Sequence, residues 1–290
     1  MAELRNVDFK LFQKYISEKC GIDITEDKAY LIETRLSKLL IDSGVQSYEE
    51  LFHLLGSSTD PHITTKVIDA ITTNETLWFR DKTPWIIFEQ LLMPFYISEL
   101  RSYKKSKIRI WSSAASTGQE AYSTAMFIDN YLESKGIKDI SLSHFEIVAS
   151  DISTAVLDMA RKGRYDSISI MRGLEQVYKD KYFIKQGMVW ELDDKIKRAV
   201  RFEQFNLQNS FMFMGKFDLV FCRYVLIYFA NDLKKEIFLK MSETLVKGGV
   251  LIIGASELYY LMEQLFVMKD FGGGTYYSRR CDELENANGR

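Results

Sequence analysis

The feature that most constrains the fold is a series of short apolar runs, separated by helical segments, after Lys107. Seven runs have the length and composition of strands: Ile108–Ser112, Phe145–Ser150, Val200–Phe205, Phe217–Cys222, Val250–Gly254, Phe266–Lys269 and Thr275–Ser278. Runs such as "LVF" and "VLIIG" are apolar on both faces, as a strand covered by helices on both sides requires. Predicted helices at about 119–135 and 154–162 lie between the early strands, so we expect an open α/β sheet that is mostly parallel.

The last two predicted strands are too close in sequence for a crossover connection. They are joined by Gly272, Gly273 and Gly274, which favour a tight turn and therefore an antiparallel hairpin. A Rossmann-like sheet of seven strands with an antiparallel last hairpin is typical of adenosylmethionine-dependent methyltransferases. A fold alone does not establish a function, so the function has to be inferred from the residues of the candidate binding site.

The first 72 residues predict a small helical domain. Ile32, Leu36, Leu39 and Leu40 recur with helical spacing, and Gly44 follows them as a candidate helix end. Ser47 and Glu50 have the spacing of a capping box, which predicts the start of the next helix. Residues 73–106 are then predicted to be a linker and a helix, about 84–100, that cover a cofactor pocket.

The sheet domain is predicted to span residues 107–280 and to contain an insertion. Nearly forty residues lie between the helix that follows Asp151 and the third strand, and a plain crossover helix does not need them. Within them, "YFIKQGMVWELDD" has short strand-like pieces divided by Gly187, so we predict an antiparallel β-subdomain at about 166–200. The tail, 281–290, lacks apolar anchors and is predicted to be disordered.

Charge and composition argue against several function classes. The net charge of −2 and the pI near 6.0 give no electrostatic footprint for nucleic acid. No apolar run is long enough to span a bilayer, so we expect no membrane insertion. Three widely spaced cysteines fit a reducing cytoplasm, and three scattered histidines do not form a zinc-binding pattern, so no metal is expected.

Candidate ligand-binding residues follow the predicted strands, where ligands bind in open α/β sheets. The small residues of "WSSAASTGQEAYS" would let backbone groups approach a ligand, and the next helix N-terminus would favour an anionic group; a tight turn without ligand explains them equally well. Asp151 could bind ribose hydroxyls or cap a helix. Glu120 could pair with an ammonium group or be a solvated acid that favours the helix dipole. Arg223 and Tyr228 lie near the mouth of the sheet, although an aromatic residue there packs by default.

The segment "TTNETLWFR", Thr72–Arg80, mixes groups that neither a surface loop nor a core helix needs. Asn74, Trp78, Phe79 and Arg80 supply an amide, two aromatic rings and a cation within seven residues. We interpret it as the wall of a pocket for a ligand that is partly flat, partly polar and partly charged.

Together these segments resemble the chemotaxis receptor methyltransferases of the CheR type. The resemblance covers nearly the whole chain, and its motifs occur in order: "TTNETLWFR", "WSSAASTGQEAYS", "ASDIS", "FNL" and "FCRYVLIYF". It implies a protein-glutamate O-methyltransferase that transfers the methyl group of S-adenosylmethionine to receptor glutamates, leaving S-adenosylhomocysteine. The alternatives are an enzyme of the same fold with another acceptor, and a non-catalytic regulatory protein that binds S-adenosylmethionine.

The resemblance also implies roles for individual residues. The implied cofactor contacts are Asn74, Thr76, Arg80, Glu120, Asp151, Asn206, Leu207, Arg223 and Tyr224, and the implied catalytic residues are Arg80 and Tyr228. Tyr224 stands where the family usually has asparagine, which puts a side-chain amide contact in doubt.

The implied partner is the cytoplasmic helical bundle of a methyl-accepting receptor. The resemblance also implies that the enzyme is cytoplasmic and monomeric. Arg35 and Lys38, on the second predicted helix, match the position of basic residues that relatives use for the receptor. An ordinary solvated helix face explains them equally well. In some relatives the β-subdomain also binds a receptor C-terminal peptide, and the sequence leaves open whether it does so here.

Overall fold

A helical domain is followed by a sheet domain in the computed structural model, which describes residues 3–57, 62–257 and 260–280. The predicted disordered tail, 281–290, lies outside the described residues. The helical domain contains α1 (Asn6–Cys20), α2 (Ala29–Ser43), α3 (Tyr48–Ser57) and α4 (Ile63–Ile71). The four apolar residues predicted to share one face of α2 are all buried in the core of this domain.

The predicted ends of these helices are largely confirmed. Gly44 follows α2 with φ 70°, the left-handed conformation that favours glycine. The hydroxyl of Ser47 accepts the Glu50 N–H at 3.2 Å, as a capping residue should. The reciprocal bond of the predicted capping box is different, because the Glu50 carboxylate accepts the N–H of Gln46 instead of that of Ser47.

The helical segment after Arg80 consists of α5 (Thr83–Ile87), a π-helical turn (Phe88–Leu92) and α6 (Met93–Arg101). It packs on one face of the sheet, where Trp85 stacks on Phe221 with ring centroids 6.1 Å apart. None of these residues lines the pocket described below. The expectation that this helix covers the cofactor pocket was therefore wrong, since its apolar face is buried against the sheet.

The rest of the described chain contains ten strands and six further α-helices, with short 3-10 helices and loops between them. The strands are β1 (Ile108–Ser112), β2 (Phe145–Asp151), β3 (Arg164–Asp166), β4 (Phe183–Gln186), β5 (Val189–Leu192), β6 (Val200–Gln204), β7 (Phe217–Cys222), β8 (Leu245–Ile253), β9 (Phe266–Phe271) and β10 (Gly274–Arg279). The helices are α7 (Gln119–Ser134), α8 (Thr154–Lys162), α9 (Ser167–Met171), α10 (Gln176–Tyr182), α11 (Asp194–Arg198) and α12 (Asn231–Thr244).

The main sheet has seven strands in the order β6-β2-β1-β7-β8-β10-β9. The first five are parallel, and β10 pairs antiparallel with both β8 and β9, which confirms the predicted sheet and hairpin. Side chains alternate between two cores: Ile110 and Phe221 lie in the core on one face, and Trp111 and Val220 in that on the other. This two-sided burial is why the strands are apolar throughout.

The predicted antiparallel insertion is confirmed as a three-stranded sheet with the order β3-β5-β4. It begins at Arg164, slightly before the predicted boundary, and includes the short helices α9, α10 and α11. The chain runs from β1 to β2 and β6 on one side of the main sheet, and β7 and β8 lie on the other side of β1. The strand order therefore reverses between β1 and β7, where open α/β sheets bind ligands at the carboxyl ends of the strands.

Candidate active site

A pocket lies at this reversal point and comprises about 890 Å³, counting its open mouth. Segments after β1, β2, β6 and β7 line it, together with the segment 72–80 and part of the helical domain. All the residues assigned above to the cofactor or to catalysis line this pocket: Asn74, Thr76, Arg80, Glu120, Asp151, Asn206, Leu207, Arg223, Tyr224 and Tyr228. The sequence-predicted residues are thus brought together from five separate segments.

The turn after β1 is held by its neighbours. The Ser113 N–H donates to the Phe221 carbonyl and the Ala115 N–H to the Ser150 carbonyl, both at 2.9 Å. Gly118 has φ 95°, and a Cβ there would come within 3.1 Å of three side chains. Backbone hydrogen bonds thus hold this turn against the adjacent strands, and Gly118 has little room for a side chain. Ser113, Ala114 and Ser116 of the turn line the pocket.

The N-terminus of α7 reaches the pocket through Glu120, which carries a negative charge. Thr117, Gly118 and Gln119 are absent from the lining, and Glu120 is the residue of this first turn that faces it. The expected binding of an anionic group at this helix terminus is therefore not supported, and another group must supply the positive charge.

Arg223 is a buried cation with two carboxylate partners. Its side chain is 1% exposed and donates to Glu120 at 3.0 Å, to Asp81 at 2.7 Å and to the Arg80 carbonyl at 2.6 Å. Glu120 also accepts the Ser112 hydroxyl at 2.7 Å. Both Glu120 oxygens thus already have one partner, although each keeps a second lone pair for a ligand.

Asp151 is a buried carboxylate with unused acceptor capacity. Its two oxygens accept the N–H groups of Ser116 at 2.9 Å and Ser153 at 3.0 Å. Burial raises the pKa of Asp151, although these backbone hydrogen bonds act in the opposite direction. The N-cap of α8 is Ser153, which accepts the Val156 N–H, so the helix-capping alternative for Asp151 was wrong. One lone pair on each oxygen remains for hydroxyl donors.

Arg80 is the pocket cation without a carboxylate partner. Within the described ranges, no acidic side chain forms an ion pair with it, and its single hydrogen bond reaches the Glu75 carbonyl at 3.4 Å. Its guanidinium carbon lies 3.5 Å from the centre of the Tyr224 ring. Arg80 is therefore available to an anionic ligand group, in contrast to Arg223.

An apolar wall forms one side of the pocket. It comprises Cys20, Ile22, Phe205, Leu207 and Phe229, of which the first two belong to the helical domain. Ile22 forms an antiparallel bridge with Phe229, so the two domains meet in this wall. Burial raises the pKa of Cys20 to about 11, which keeps its thiol uncharged at neutral pH. The wall suits a flat, uncharged ring.

Asn206 has its side-chain amide engaged within the protein. It donates to the Lys19 carbonyl at 2.8 Å and accepts the Gln208 N–H at 3.0 Å. These bonds fix the loop after β6 against the end of α1. Any contact of Asn206 with a ligand therefore involves its backbone or remaining acceptor capacity.

The rest of the polar lining comes from Asn74, Thr76 and Tyr228. The Asn74 carbonyl accepts the Ser116 hydroxyl at 2.7 Å, which joins segment 72–80 to the turn after β1. The Tyr228 carbonyl accepts the Asp23 N–H at 2.8 Å, while its hydroxyl makes no hydrogen bond within the described chain. That hydroxyl is free to donate to a ligand.

Trp78 and Phe79 do not line the pocket, contrary to the sequence interpretation. Trp78 is 1% exposed and packs edge-on against Tyr165 and Phe183 of the inserted subdomain. Its indole N–H donates to the Ser169 carbonyl at 3.0 Å. The aromatic residues of this segment anchor it to the insertion because burial of an indole ring is more favourable than a place at the pocket mouth.

Comparison with known proteins assigns most of the chain to one family. The family model described as "CheR methyltransferase, all-alpha domain" matches residues 7–72, and "CheR methyltransferase, SAM binding domain" matches residues 74–270. The chain belongs to the CheR methyltransferase family. It is an S-adenosylmethionine-dependent methyltransferase, and S-adenosylmethionine is its cofactor.

Curated relatives of this CheR methyltransferase match over nearly their full length. "Chemotaxis protein methyltransferase Cher2" of Pseudomonas putida is 38% identical, over 95% of this chain and 98% of the relative. "Chemotaxis protein methyltransferase 1" of Pseudomonas aeruginosa is 37% identical, over 94% of this chain and 97% of the relative.

No helix in the described part of the chain is long and apolar enough to cross a membrane.

The pocket fits the chemistry of S-adenosylmethionine. Asp151 offers two acceptors for ribose hydroxyls, the apolar wall suits adenine, and Glu120 keeps a lone pair on each oxygen for an ammonium group. Within the ranges that the structure describes, no cluster of histidine, cysteine and acidic residues could hold a metal ion.

Arg35 and Lys38 lie outside the pocket and differ from each other. Lys38 is exposed on α2. Arg35 is half-buried and donates to the Ile71 carbonyl and the Thr73 hydroxyl, next to the pocket residue Asn74. Arg35 thus supports segment 72–80, whereas Lys38 is free to meet a partner.

Glu257 is a residue that the sequence reasoning missed. It is 6% exposed and accepts three backbone N–H groups: from Tyr224 at 2.5 Å, Gly254 at 2.9 Å and Ile227 at 3.3 Å. It therefore joins the end of β8 to the pocket loop after β7. An acid three residues after the glycine that ends a predicted strand was the available signal.

Proposed function

We propose that this enzyme methylates glutamate side chains of chemotaxis receptors and so forms the methyl esters used in sensory adaptation. The names of the curated relatives support a role in chemotaxis. The observation that carries the choice of a carboxylate acceptor is Arg80, a pocket cation without a carboxylate partner in the described chain. A carboxylate acceptor would find its countercharge there.

The proposed cofactor-binding residues are those that line the pocket. Asp151 would bind the ribose hydroxyls, and Asn206 and Leu207 would flank the adenine. Asn74, Thr76, Glu120, Arg223 and the backbone of Tyr224 would surround the remainder of the cofactor. When bound, S-adenosylmethionine supplies a methyl group activated by its sulfonium.

The protein then has to position and desolvate the acceptor. A glutamate carboxylate has an ordinary pKa near 4.3, so it is ionised at neutral pH and needs no general base. Arg80 would orient that carboxylate through charge-assisted hydrogen bonds. The free hydroxyl of Tyr228 would steer it with a further hydrogen bond. Correct positioning can contribute roughly 7–11 kcal/mol in favourable intramolecular reactions.

The proposed partner is the cytoplasmic helical bundle of a receptor, approached by the helical domain of a cytoplasmic monomer. The exposed Lys38 supports a contact from α2. A receptor C-terminal peptide could extend the three-stranded sheet at β3 or β4, its two edge strands in the described chain. Titration with receptor tail peptides tests this, and no binding at high micromolar concentration would count against it.

The decisive experiment is incubation with methyl-labelled S-adenosylmethionine and cytoplasmic receptor fragments, followed by mild base. Glutamate methyl esters release labelled methanol under these conditions, whereas N-methyl and C-methyl groups do not. Label on the receptor that resists base would indicate another acceptor group. Cofactor binding without transfer to any receptor fragment would favour a non-catalytic regulatory protein.

A further inference from the structure

Three contacts fix the position of Tyr224, and one of them is to Arg80. Its ring centre lies 3.5 Å from the Arg80 guanidinium carbon, its N–H donates to Glu257 at 2.5 Å, and its hydroxyl donates to Asp81 at 2.5 Å. Its φ is 59°, an uncommon conformation for a tyrosine. A residue that binds only through its backbone would not need this fixed ring.

Asp81 is itself fixed, because the buried Arg223 donates to the same oxygen at 2.7 Å. Burial tends to raise the pKa of Asp81, but the hydrogen bonds from Tyr224 and Arg223 lower it overall, so the carboxylate stays ionised. The Tyr224 hydroxyl is therefore tied through Asp81 to a side chain that is 1% exposed. The position of the Tyr224 ring is therefore fixed by its hydrogen bond to Asp81, which the buried Arg223 holds in place.

Arg80 has few other restraints. Its one hydrogen bond is the long contact to the Glu75 carbonyl, and it has no ion pair within the described chain. An unrestrained arginine side chain occupies many rotamers, so its guanidinium has no fixed orientation. A flat ring under the guanidinium restricts its orientation and leaves its N–H edge free for a carboxylate.

We propose that Tyr224 is a positioning residue that fixes the Arg80 guanidinium for the carboxylate it binds, with Asp81 holding the tyrosine. This rests on the proposed function. Tyr224 then acts through Arg80 and does not replace the amide contact of the asparagine that relatives usually carry here. The three side chains form one unit at the reacting end of the pocket.

A double-mutant cycle tests this coupling. Tyr224→Leu removes the ring, and Tyr224→Phe removes only the bond to Asp81; each is made with Arg80 present and with Arg80→Ala. The readouts are kcat/KM for receptor methylation and the calorimetric Kd for S-adenosylhomocysteine, which needs no turnover. Tyr103→Leu is the matched control, because Tyr103 also has a positive φ, 56°, but is 93% exposed.

With Arg80 present, we expect kcat/KM to fall about tenfold for Tyr224→Leu and about threefold for Tyr224→Phe. In the Arg80→Ala background both changes should have no further effect on kcat/KM. Equal losses in the two backgrounds would overturn the proposal, because Tyr224 would then act independently of Arg80. If Tyr224→Leu does not fold, as shown by thermal unfolding, the Tyr224→Phe cycle decides alone.

A failure of the proposed function would give a different experimental result from a failure of this coupling. If the wild-type enzyme bound S-adenosylhomocysteine but methylated no receptor glutamate, the acceptor assignment would fail. The coupling is then judged on Kd. Non-additive changes in Kd would show that Tyr224 acts through Arg80 on the carboxylate of the cofactor. Additive changes would refute the coupling between the two residues.

Discussion

Replacing Glu257 with alanine should destabilise the protein strongly. The carboxylate accepts N–H groups from Tyr224, Gly254 and Ile227 and is 6% exposed. Hydrogen bonds to a charged group contribute about 1.5–3 kcal/mol each. The 3.3 Å bond from Ile227 is the weakest of the three, so we expect a loss of about 3–5 kcal/mol.

Thermal and denaturant unfolding measure this loss. One kcal/mol shifts the unfolding midpoint by roughly 2–4 °C in a domain of 150–250 residues, so the midpoint should fall by about 10 °C. Glu257→Gln keeps one oxygen acceptor and should lose less. Glu243→Ala, an exposed acid on α12, is the control and should stay within about 0.5 kcal/mol of the wild type.

The pocket should also be affected, because Glu257 holds the backbone of Tyr224. We expect Glu257→Ala to weaken S-adenosylhomocysteine binding in calorimetry at a temperature where the variant remains folded. A loss of stability below about 1 kcal/mol would refute the reasoning, since the three N–H groups would then have found other partners at little cost.

Three further predictions follow from individual contacts. The affinity for S-adenosylhomocysteine should fall by up to about tenfold per pH unit below the raised pKa of Asp151, starting at a higher pH than for an ordinary aspartate; flat calorimetric affinity from pH 7 down to 4 would contradict this. Gly173→Ala would place a Cβ 2.2 Å from the Trp78 carbonyl oxygen and should cost more than about 1 kcal/mol in denaturant unfolding. Its control, Gly187→Ala, meets no atom within 4 Å, and equal losses would argue against the clash. Arg35→Ala should weaken S-adenosylhomocysteine binding about threefold to tenfold, whereas Lys38→Ala should not; equal affinities would exclude the support role.

The sheet could be predicted from the sequence because each strand is buried on two faces. That burial requires continuous apolar runs such as "LVF" in β7, which are distinct from the neighbouring helices. The pocket residues were predictable for a related reason. Asp151 is the last residue of β2 and Arg223 follows β7, and the carboxyl ends of parallel strands meet at one edge of the sheet.

Contacts between distant segments could not be predicted in the same way. The burial of Trp78 in the inserted subdomain depends on Tyr165 and Phe183, about 90 and 100 residues later, and no local pattern records that contact. The pairing of Arg35 with Thr73 is of the same kind. Glu257 looked like an ordinary polar residue because its three partners are backbone groups, which leave no trace in the sequence.

The most direct test of the account is calorimetric titration of the full chain with S-adenosylhomocysteine, comparing the wild type with Asp151→Asn. We expect saturable one-to-one binding by the wild type and at least about 100-fold weaker binding by the variant, because the charged acceptor for the ribose hydroxyls is lost. Asp158→Asn, an exposed aspartate on α8, should bind like the wild type. Binding by Asp151→Asn within threefold of the wild type would contradict the account, since the cofactor would then be held elsewhere.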